Sequence, residues 1–436
     1  MLSCAPASPV PRPAAPSSAG EHGPEIATSF PIQLAAGSIL FAAVTFNAAL
    51  AVVNAHVVSL SPAVVIGCES VIVAAAYGVV FSSLRPQMVP WLVLLGILVM
   101  LSLLRGIATQ TFDAKSLRDV ALIPTFVLLG MTFDWCRLTR LLVVLHAVVL
   151  FFLLFEAVDT AAFSELFQIK SYYIGTRGYD SSAFWNSESE LFVSATRPDG
   201  RLFSFVDLHR LSSLFLEPVS LGNYCMVAVA YVCAVWRRLG WPALLFLSIG
   251  TALMIVGCDS RLASVMTIAL VLVTMAAPYL PRRSAIVYPP LAVLGAFLLV
   301  AVLAPRAGLD DFKGRVAHTV MLLQSYDLPE LLGISNRFLD KAVDSGLAYL
   351  ISTQSLVGVI LLWTAVIFAS KEDTPDQARF THALAIYLAL SMTVSYSLLS
   401  IKSAALLWFI HGSLQAQSFA STRKAEAFGM QSASLQ

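Results

Sequence analysis

Residues 285–304 read AIVYPPLAVLGAFLLVAVLA, an apolar run that contains no charged side chain. A helix needs about 20 apolar residues to cross the hydrocarbon core of a bilayer. Arg282 and Arg283 precede the run, separated from it only by Ser284, and basic residues in this position are typical of short cytoplasmic loops. The segment therefore predicts a transmembrane helix that starts on the cytoplasmic side.

Similar runs occur along most of the chain. The sequence is 58% hydrophobic and 12% charged, whereas soluble domains carry about 25% charged residues. We therefore predict an all-α polytopic membrane protein with about twelve transmembrane helices. Besides 285–304, the predicted spans are 32–54, 57–81, 89–104, 117–133, 138–158, 214–236, 241–257, 261–280, 346–370, 380–398 and 402–419.

The Lys and Arg residues of the short loops set the predicted orientation. With the N-terminus inside, eleven of them lie on the inner side and five on the outer side, so an N-in, C-in topology is expected. Two long loops, 159–213 and 305–345, then lie outside. The outer five are Arg105, Lys115, Arg118, Arg261 and Lys402; the inner eleven are Arg85, Arg137, Arg140, Arg237, Arg238, Arg282, Arg283, Lys371, Arg379, Arg423 and Lys424.

The regions outside the spans are read from their composition. Residues 1–30 are rich in Pro, Ala and Ser and predict a disordered cytoplasmic tail. Residues 31–420 form the predicted membrane domain, and 421–436 a second cytoplasmic tail. The net charge of +1 gives no basic surface for nucleic acid, and the six cysteines show neither metal nor disulfide spacing.

Both long loops carry structural signals. The turn residues Pro198, Asp199 and Gly200 separate two alternating segments, which predicts a β-hairpin. The second loop contains FKGRVAHTVMLLQSY (312–326), whose apolar residues recur at helical spacing. We expect this segment to be an amphipathic helix at the membrane surface.

Outer cations are the first candidates for a functional site. The guanidinium of arginine matches phosphate oxygens and stays charged, so several arginines around one outer pocket would suit a pyrophosphate. Alternatively, each arginine pairs with a nearby acid or with lipid headgroups. The candidates are Arg118, Arg210, Arg261, Arg315 and Lys402, and the nearby acids are Asp119, Asp207, Asp259 and Asp311.

Four further outer residues are candidates for proton transfer or substrate contact. Glu217, near the start of the span at 214–236, can orient an arginine or act as a base. His209 and His318 can accept a proton from a sugar hydroxyl, although loop histidines are more often simply solvated. Asp344 either caps the next helix, as can its neighbour Ser345, or contacts the substrate.

Two ionisable residues lie within predicted spans. Glu69 and His411 could form a relay, as in a transporter, or make hydrogen bonds between helices. The first long loop is aromatic, and its rings either stack on sugars or anchor the loop at the membrane interface. These aromatic residues are Tyr172, Tyr173, Tyr179, Phe184 and Trp185.

The order of several short motifs resembles a known family. They are RLSSLFLEPVSLGNY (210–224), CDSRLA (258–263), KGR (313–315) with LLGIS (331–335), VDSGLAYLISTQSLVGVI (343–360) and SYSLLSIKSAALLWFIHG (395–412). With the hydropathy and the two long loops, they resemble the O-antigen polymerase and ligase family of bacterial membrane glycosyltransferases, the Wzy type. The likeness covers about 35–415 and is greatest for its exopolysaccharide branch, typified by the xanthan polymerase.

The resemblance implies a multi-pass glycosyltransferase of the bacterial inner membrane that needs neither metal nor cofactor. Its substrates would be undecaprenyl-diphosphate-linked oligosaccharides at the periplasmic face, and a chain-length regulator would be a possible partner. Arg210, Arg261 and Arg315 match the arginines of the family, and His318 is nearest to the histidine proposed for its ligases. A polymerase is expected; a ligase, a lipid-linked oligosaccharide flippase or other transporter, and an acyltransferase are the alternatives.

Overall fold

A computed structural model describes residues 29–184, 186, 189–196, 201–304, 312–396 and 399–416. Both predicted tails lie almost entirely outside the described residues, as do Trp185 and the turn at 198–200. The described residues form α-helices and short 3₁₀ turns and contain no strand. The prediction of an all-α protein is therefore confirmed.

The helices follow one another with short connections, apart from the two long loops. In chain order they are α1 (Phe30–His56), α2 (Pro62–Phe81), α3 (Val89–Thr109), α4 (Ala114–Met131), α5 (Trp135–Val158), α6 (Thr160–Phe167), α7 (Ile169–Arg177), α8 (Pro218–Val235), α9 (Trp241–Cys258), α10 (Arg261–Ala276), α11 (Tyr288–Leu303), α12 (Phe312–Gln324), α13 (Leu328–Leu331), α14 (Gly346–Ala369), α15 (Pro375–Ser391) and α16 (Ile401–Gln415).

Each predicted span overlaps one of the longer helices, although α15 covers only the first part of the span predicted at 380–398. Within the described part of the chain, nine of them are long and apolar enough to cross a membrane: α1, α2, α3, α5, α8, α9, α10, α11 and α14. The other three predicted spans are α4, which carries several charges, and the shorter α15 and α16. The chain is therefore a multi-pass α-helical membrane protein.

Helix α16 lies at the centre of the bundle and is buried along its whole length. It packs directly on α4, where Gly130 faces the main chain of Phe409 and Gly412 faces that of Val127. A Cβ atom at either glycine would collide with a carbonyl group of the facing helix. Such small residues allow transmembrane helices to approach closely, so the two glycines fix α4 against α16.

Polar residues predicted for the inner side contact one another at one end of the bundle. Asp376, in the first turn of α15, forms ion pairs with Arg238 and, at 3.5 Å, with Arg379. Lys371, which follows α14, donates to Gln87 Oε1 at 3.2 Å. These contacts join residues of three connections, the ones that follow α2, α8 and α14.

The predicted β-hairpin of the first long loop is wrong for the residues that the structure describes on either side of its turn. Val193–Thr196 forms a 3₁₀ helix. The amides of Leu202 and Phe203 donate to the carboxylate of Asp259, each at 3.0 Å, instead of pairing with an opposite strand. The helix predicted in the second loop is confirmed as α12.

Helix α14 is broken partway along its length. Ser355 has φ 68° and ψ 162°, outside the helical region, and its Oγ accepts from Gly358 N at 3.1 Å, which caps the second half. The buried Arg105 donates to Ser352 O at 3.0 Å and to Asn336 Oδ1 at 2.5 Å. Arg105 thus satisfies a carbonyl at the end of the first half, as main-chain groups inside a membrane require.

Candidate functional site

Lys402 is a buried cation in the first turn of α16. Its side chain is 1% exposed, and Nζ donates to the hydroxyl of Tyr173 and to Phe215 O, both at 3.1 Å. Glu217 Oε1 lies 3.4 Å from Nζ. A charge removed from water in this way needs a partner, so Lys402, Tyr173 and Glu217 form one unit.

Glu217 comes directly before α8, where Ser220 Oγ donates to its Oε2 at 2.5 Å. Burial alone would raise the pKa of Glu217. The neighbouring Lys402 and Arg177, with hydrogen bonds from Ser220 and Tyr173, outweigh burial and lower the pKa to about 2. Because a carboxylate with so low a pKa is a weak base, the geometry favours an anchoring role for Glu217.

The main chain that leads to Glu217 is strained. Ser213 and Leu216 have φ of 51° and 63°, in the left-handed region that non-glycine residues seldom adopt. Glu156, at the C-terminal end of α5, holds this chain: its Oε2 accepts from Ser212 N at 2.8 Å and Ser213 N at 2.7 Å. Such strain persists only where surrounding contacts enforce it, and it is commonest at functional sites.

Arg177 supplies an available cation at the end of α7. Its guanidinium lies 5.4 Å from the centroid of the Tyr173 ring, in a cation–π contact. It is exposed and has no hydrogen-bond or ion-pair partner among the described residues. Arg177 is not among the candidates from the sequence, because only the Lys and Arg residues of short loops are counted for topology and Arg177 lies in a long loop.

A second group of charges surrounds Asp119 in α4. Arg118 bridges Asp119 and Glu69, and its side chain is 27% exposed. Lys115 Nζ and the Tyr349 hydroxyl donate to Asp119 Oδ2 at 3.0 and 2.9 Å. The alternative of pairing with a nearby acid is therefore observed for Arg118.

The two groups adjoin, because Arg177 lies within electrostatic reach of both Glu69 and Glu217. We refer to them together as the Lys402 cluster. It contains four cations and three carboxylates, a net charge of +1 among the described residues. Its members are Glu69, Lys115, Arg118, Asp119, Tyr173, Arg177, Glu217, Tyr349 and Lys402.

An apolar cavity of about 80 Å³ lies next to the cluster, between α4, α11, α14, α15 and α16. Ile123, which lines it, is one helical turn beyond Asp119, and Leu350 directly follows Tyr349. Helix α11 forms one wall and has a single buried residue, Ala296. The cavity is lined by Ile123, Pro289, Val293, Leu347, Leu350, Val359, Leu362, Trp363, Val366, Leu388, Ala389, Met392, Leu399 and Trp408.

Arg210 lies elsewhere, in a group that holds the C-terminus of α9. It is 8% exposed and donates to Cys258 O at 3.1 Å and Ser194 O at 3.2 Å. Arg201 donates to Val256 O at 2.6 Å and Gly257 O at 3.2 Å. Arginines that bind the last carbonyls of a helix satisfy them and oppose the helix dipole.

The other predicted outer residues have different surroundings. Arg261 is exposed at the start of α10, and Arg315 is half-buried in α12. His318 Nε2 lies 2.9 Å from Lys341 O. The side chain of Asp344 lies outside the described residues, and Ser345 caps α14 by accepting from Ala348 N at 3.2 Å. None of these described contacts joins the Lys402 cluster.

Glu69 and His411 differ in their surroundings. Glu69 pairs with Arg118 and belongs to the cluster. His411 is buried among Trp91, Trp408 and Phe380 and shares a hydrogen bond of 3.0 Å with Ser370 Oγ, which is a contact between helices. His209 Nε2 lies 3.0 Å from Glu156 Oε1, a pairing that the sequence did not indicate.

Comparison of the chain with protein-family models, curated proteins and solved structures finds no match. Across the residues that the structure describes, no three His, Cys, Asp or Glu side chains converge as they would around a metal ion.

Proposed function

We propose that the protein is a glycan polymerase of the bacterial inner membrane. In this proposal it joins oligosaccharide repeat units carried on undecaprenyl diphosphate at the periplasmic face, in O-antigen or exopolysaccharide biosynthesis. Its termini are cytoplasmic, and the Lys402 cluster faces the periplasm. The observation that carries the proposal is the position of the cluster, with the available Arg177, directly beside an apolar cavity.

The chemistry of a lipid diphosphate fits this juxtaposition. Its headgroup carries negative charge, which Arg177 and the partly exposed Arg118 can bind. Its polyprenyl tail is apolar and needs a path through hydrocarbon or along an apolar surface such as the one that α11 and α14 provide. A ligand that binds both these cations and the neighbouring apolar surface must be an amphiphile, as lipid-linked sugars are.

The proposed reaction joins two such lipids. A sugar hydroxyl of a single repeat unit attacks the anomeric carbon of the growing chain, and the bond from that carbon to the diphosphate breaks. A diphosphate is a good leaving group, so fixed positive charge is the main requirement. The guanidinium of Arg210 is engaged by carbonyls, and Arg177 therefore takes the clamping role expected for it; Arg261 and Arg315 stay candidates for the second lipid.

The break in α14 favours a second candidate, a transporter of lipid-linked oligosaccharides. Discontinuous transmembrane helices surround the substrate sites of many secondary transporters, and Ser355 interrupts α14 in this manner. Against this candidate, the sequence shows no repeated halves, and Arg177, the available cation of the Lys402 cluster, lies on α7 within the first long loop.

A strain that lacks the protein distinguishes these candidates. Loss of a polymerase leaves single repeat units linked to undecaprenyl diphosphate on the periplasmic side. Loss of a ligase leaves long lipid-linked polymer, and loss of a flippase leaves single units facing the cytoplasm. Polymer of normal length in the mutant would contradict the proposal, and complementation with the wild-type chain is the control.

A further inference from the structure

Glu156 and His209 form a pair outside the Lys402 cluster. Glu156 is fully buried at the end of α5, and His209 is in the long outer loop with its side chain 15% exposed. The 3.0 Å contact joins Glu156 Oε1 to His209 Nε2. A buried carboxylate beside a partly exposed imidazole is the arrangement that orients a histidine for proton transfer in many enzymes.

The hydrogen bonds of Glu156 fix the roles of the two histidine nitrogens. Oε2 accepts two main-chain N–H groups, from Ser212 and Ser213, and the Ser212 hydroxyl donates to the same carboxylate at 3.2 Å. A carboxylate in this position acts only as an acceptor, so Nε2 of His209 carries the hydrogen that it shares with Oε1. Nδ1 is then the nitrogen with a free lone pair, and it has no partner among the described residues.

The chain between this pair and the Lys402 cluster is short and firmly held. Ser213 Oγ donates to Val149 O at 2.7 Å, and Phe215 O accepts from Lys402 Nζ. The strained residues Ser213 and Leu216 lie within this stretch. Glu156 therefore positions both His209 and the main chain that reaches Lys402.

We infer that His209, oriented by Glu156, accepts the proton of the attacking sugar hydroxyl. The inference rests on the proposed glycosyl transfer. As the hydroxyl oxygen bonds to the anomeric carbon, its proton moves to Nδ1 of His209. The bond from carbon to the diphosphate oxygen breaks, and its electron pair leaves with the diphosphate. The proton then passes from His209 to the released diphosphate or to water.

The other two candidate bases are less suited to this step. Glu217 is held by Lys402 and Ser220. His318 is oriented by a neutral carbonyl, that of Lys341, which stabilises an imidazolium less than a carboxylate does. His209 alone among the three is paired with a buried carboxylate.

The test measures elongation of lipid-linked repeat units by purified protein with His209→Gln and Glu156→Gln variants. We expect His209→Gln to lower kcat by about 10²–10⁴-fold, the usual effect of removing a general base, with little change in KM. Glu156→Gln should lower kcat less. His56→Gln is the control, because His56 is an exposed histidine at the end of α1 whose ring contacts a carbonyl, Leu166 O, at 3.0 Å; it should match the wild type.

Chemical rescue separates proton transfer from a structural role. We expect added imidazole to restore part of the activity of His209→Gly and to leave His56→Gln unaffected. Near-wild-type kcat in His209→Gln, or an inactive but stably folded His209→Gly that imidazole does not rescue, would overturn the inference. Activity of the wild type reports separately on the proposed function: if the wild type elongates nothing, the polymerase proposal fails first.

Discussion

Two groups of arginines, both predicted to lie on the outer side, differ in the groups that bind them. In the Lys402 cluster, Arg118 pairs with carboxylates and Arg177 is available above the ring of Tyr173. At the end of α9, Arg201 and Arg210 bind main-chain carbonyls; we refer to these two arginines with Asp259 as the α9 collar. An arginine bound to carbonyls stabilises the fold, whereas an available one can bind a ligand. Under the proposed function, these arginines thus serve two purposes, ligand binding and stabilisation of the fold, and the groups that bind each arginine distinguish the two.

Among the variants of the two groups, Lys402→Met should have the largest effect on stability and activity. It removes the nearest cation from Glu217, whose side chain is only 18% exposed and which then keeps Arg177 alone; breaking a fully buried ion pair costs about 3–5 kcal/mol, which is the upper limit here. We expect a lower unfolding temperature and no detectable elongation. Lys371→Met, at the opposite end of the bundle, is the control. An unfolding temperature equal to that of the wild type would show that Lys402 is not the centre of the cluster.

Arg177→Lys separates ligand binding from folding in the cluster. The variant keeps the charge and removes the planar fork, so elongation should fall by about 10²–10³-fold, as it does when one fixed transition-state donor is lost. The unfolding temperature should stay the same, because Arg177 has no ion-pair partner among the described residues. The exposed Arg140 in α5 provides the control Arg140→Lys. Full activity in Arg177→Lys would remove it from the site.

Arg210→Lys tests the α9 collar, where we expect the substitution to affect stability more than activity. Lysine preserves the charge near the helix C-terminus and loses hydrogen bonds to Cys258 O and Ser194 O, each of which is expected to contribute about 1–3 kcal/mol. We expect lower stability in chemical unfolding and a smaller loss of activity than in Arg177→Lys. The reverse result, a stable protein without activity, would return Arg210 to the diphosphate site.

The smallest expected effect is a change with pH in the free energy of unfolding. Because the folded cluster lowers the pKa of Glu217 from 4.5 to about 2, the ionised carboxylate stabilises the fold fully above pH 4.5. Its contribution decreases as the pH falls from 4.5 towards 2, since the unfolded chain takes up the proton first. The difference in unfolding free energy between wild type and Glu217→Gln should shrink over that range. A constant difference would mean that Glu217 is not held by cations.

The helices were predictable from the sequence because their hydropathy indicates them: every predicted span overlaps one of the longer helices, and nine of these, within the described residues, are long and apolar enough to cross a membrane. Lys402, Arg118 and Glu217 were also identified, since charges near span ends are costly enough to indicate function. Arg177 and Glu156 were missed. The position of Arg177 over the Tyr173 ring is visible only in the folded chain. The role of Glu156 depends on hydrogen bonds from amides more than fifty residues later in the chain.

The hairpin prediction failed for a related reason. Alternating residues predict strands only when another strand is present to pair with them. Here Asp259 takes the amides of Leu202 and Phe203, and the loop closes on α9. The carboxylate lies far along the sequence, so the local pattern contained no sign of it.

Elongation by purified protein tests the central claim most directly. The protein in detergent is supplied with undecaprenyl-diphosphate-linked repeat units and no membrane gradient, and the products are separated by length. We predict a ladder of lipid-linked oligomers with release of undecaprenyl diphosphate from wild type, and none from Lys402→Met. Single units that persist unchanged with folded wild-type protein would contradict the account.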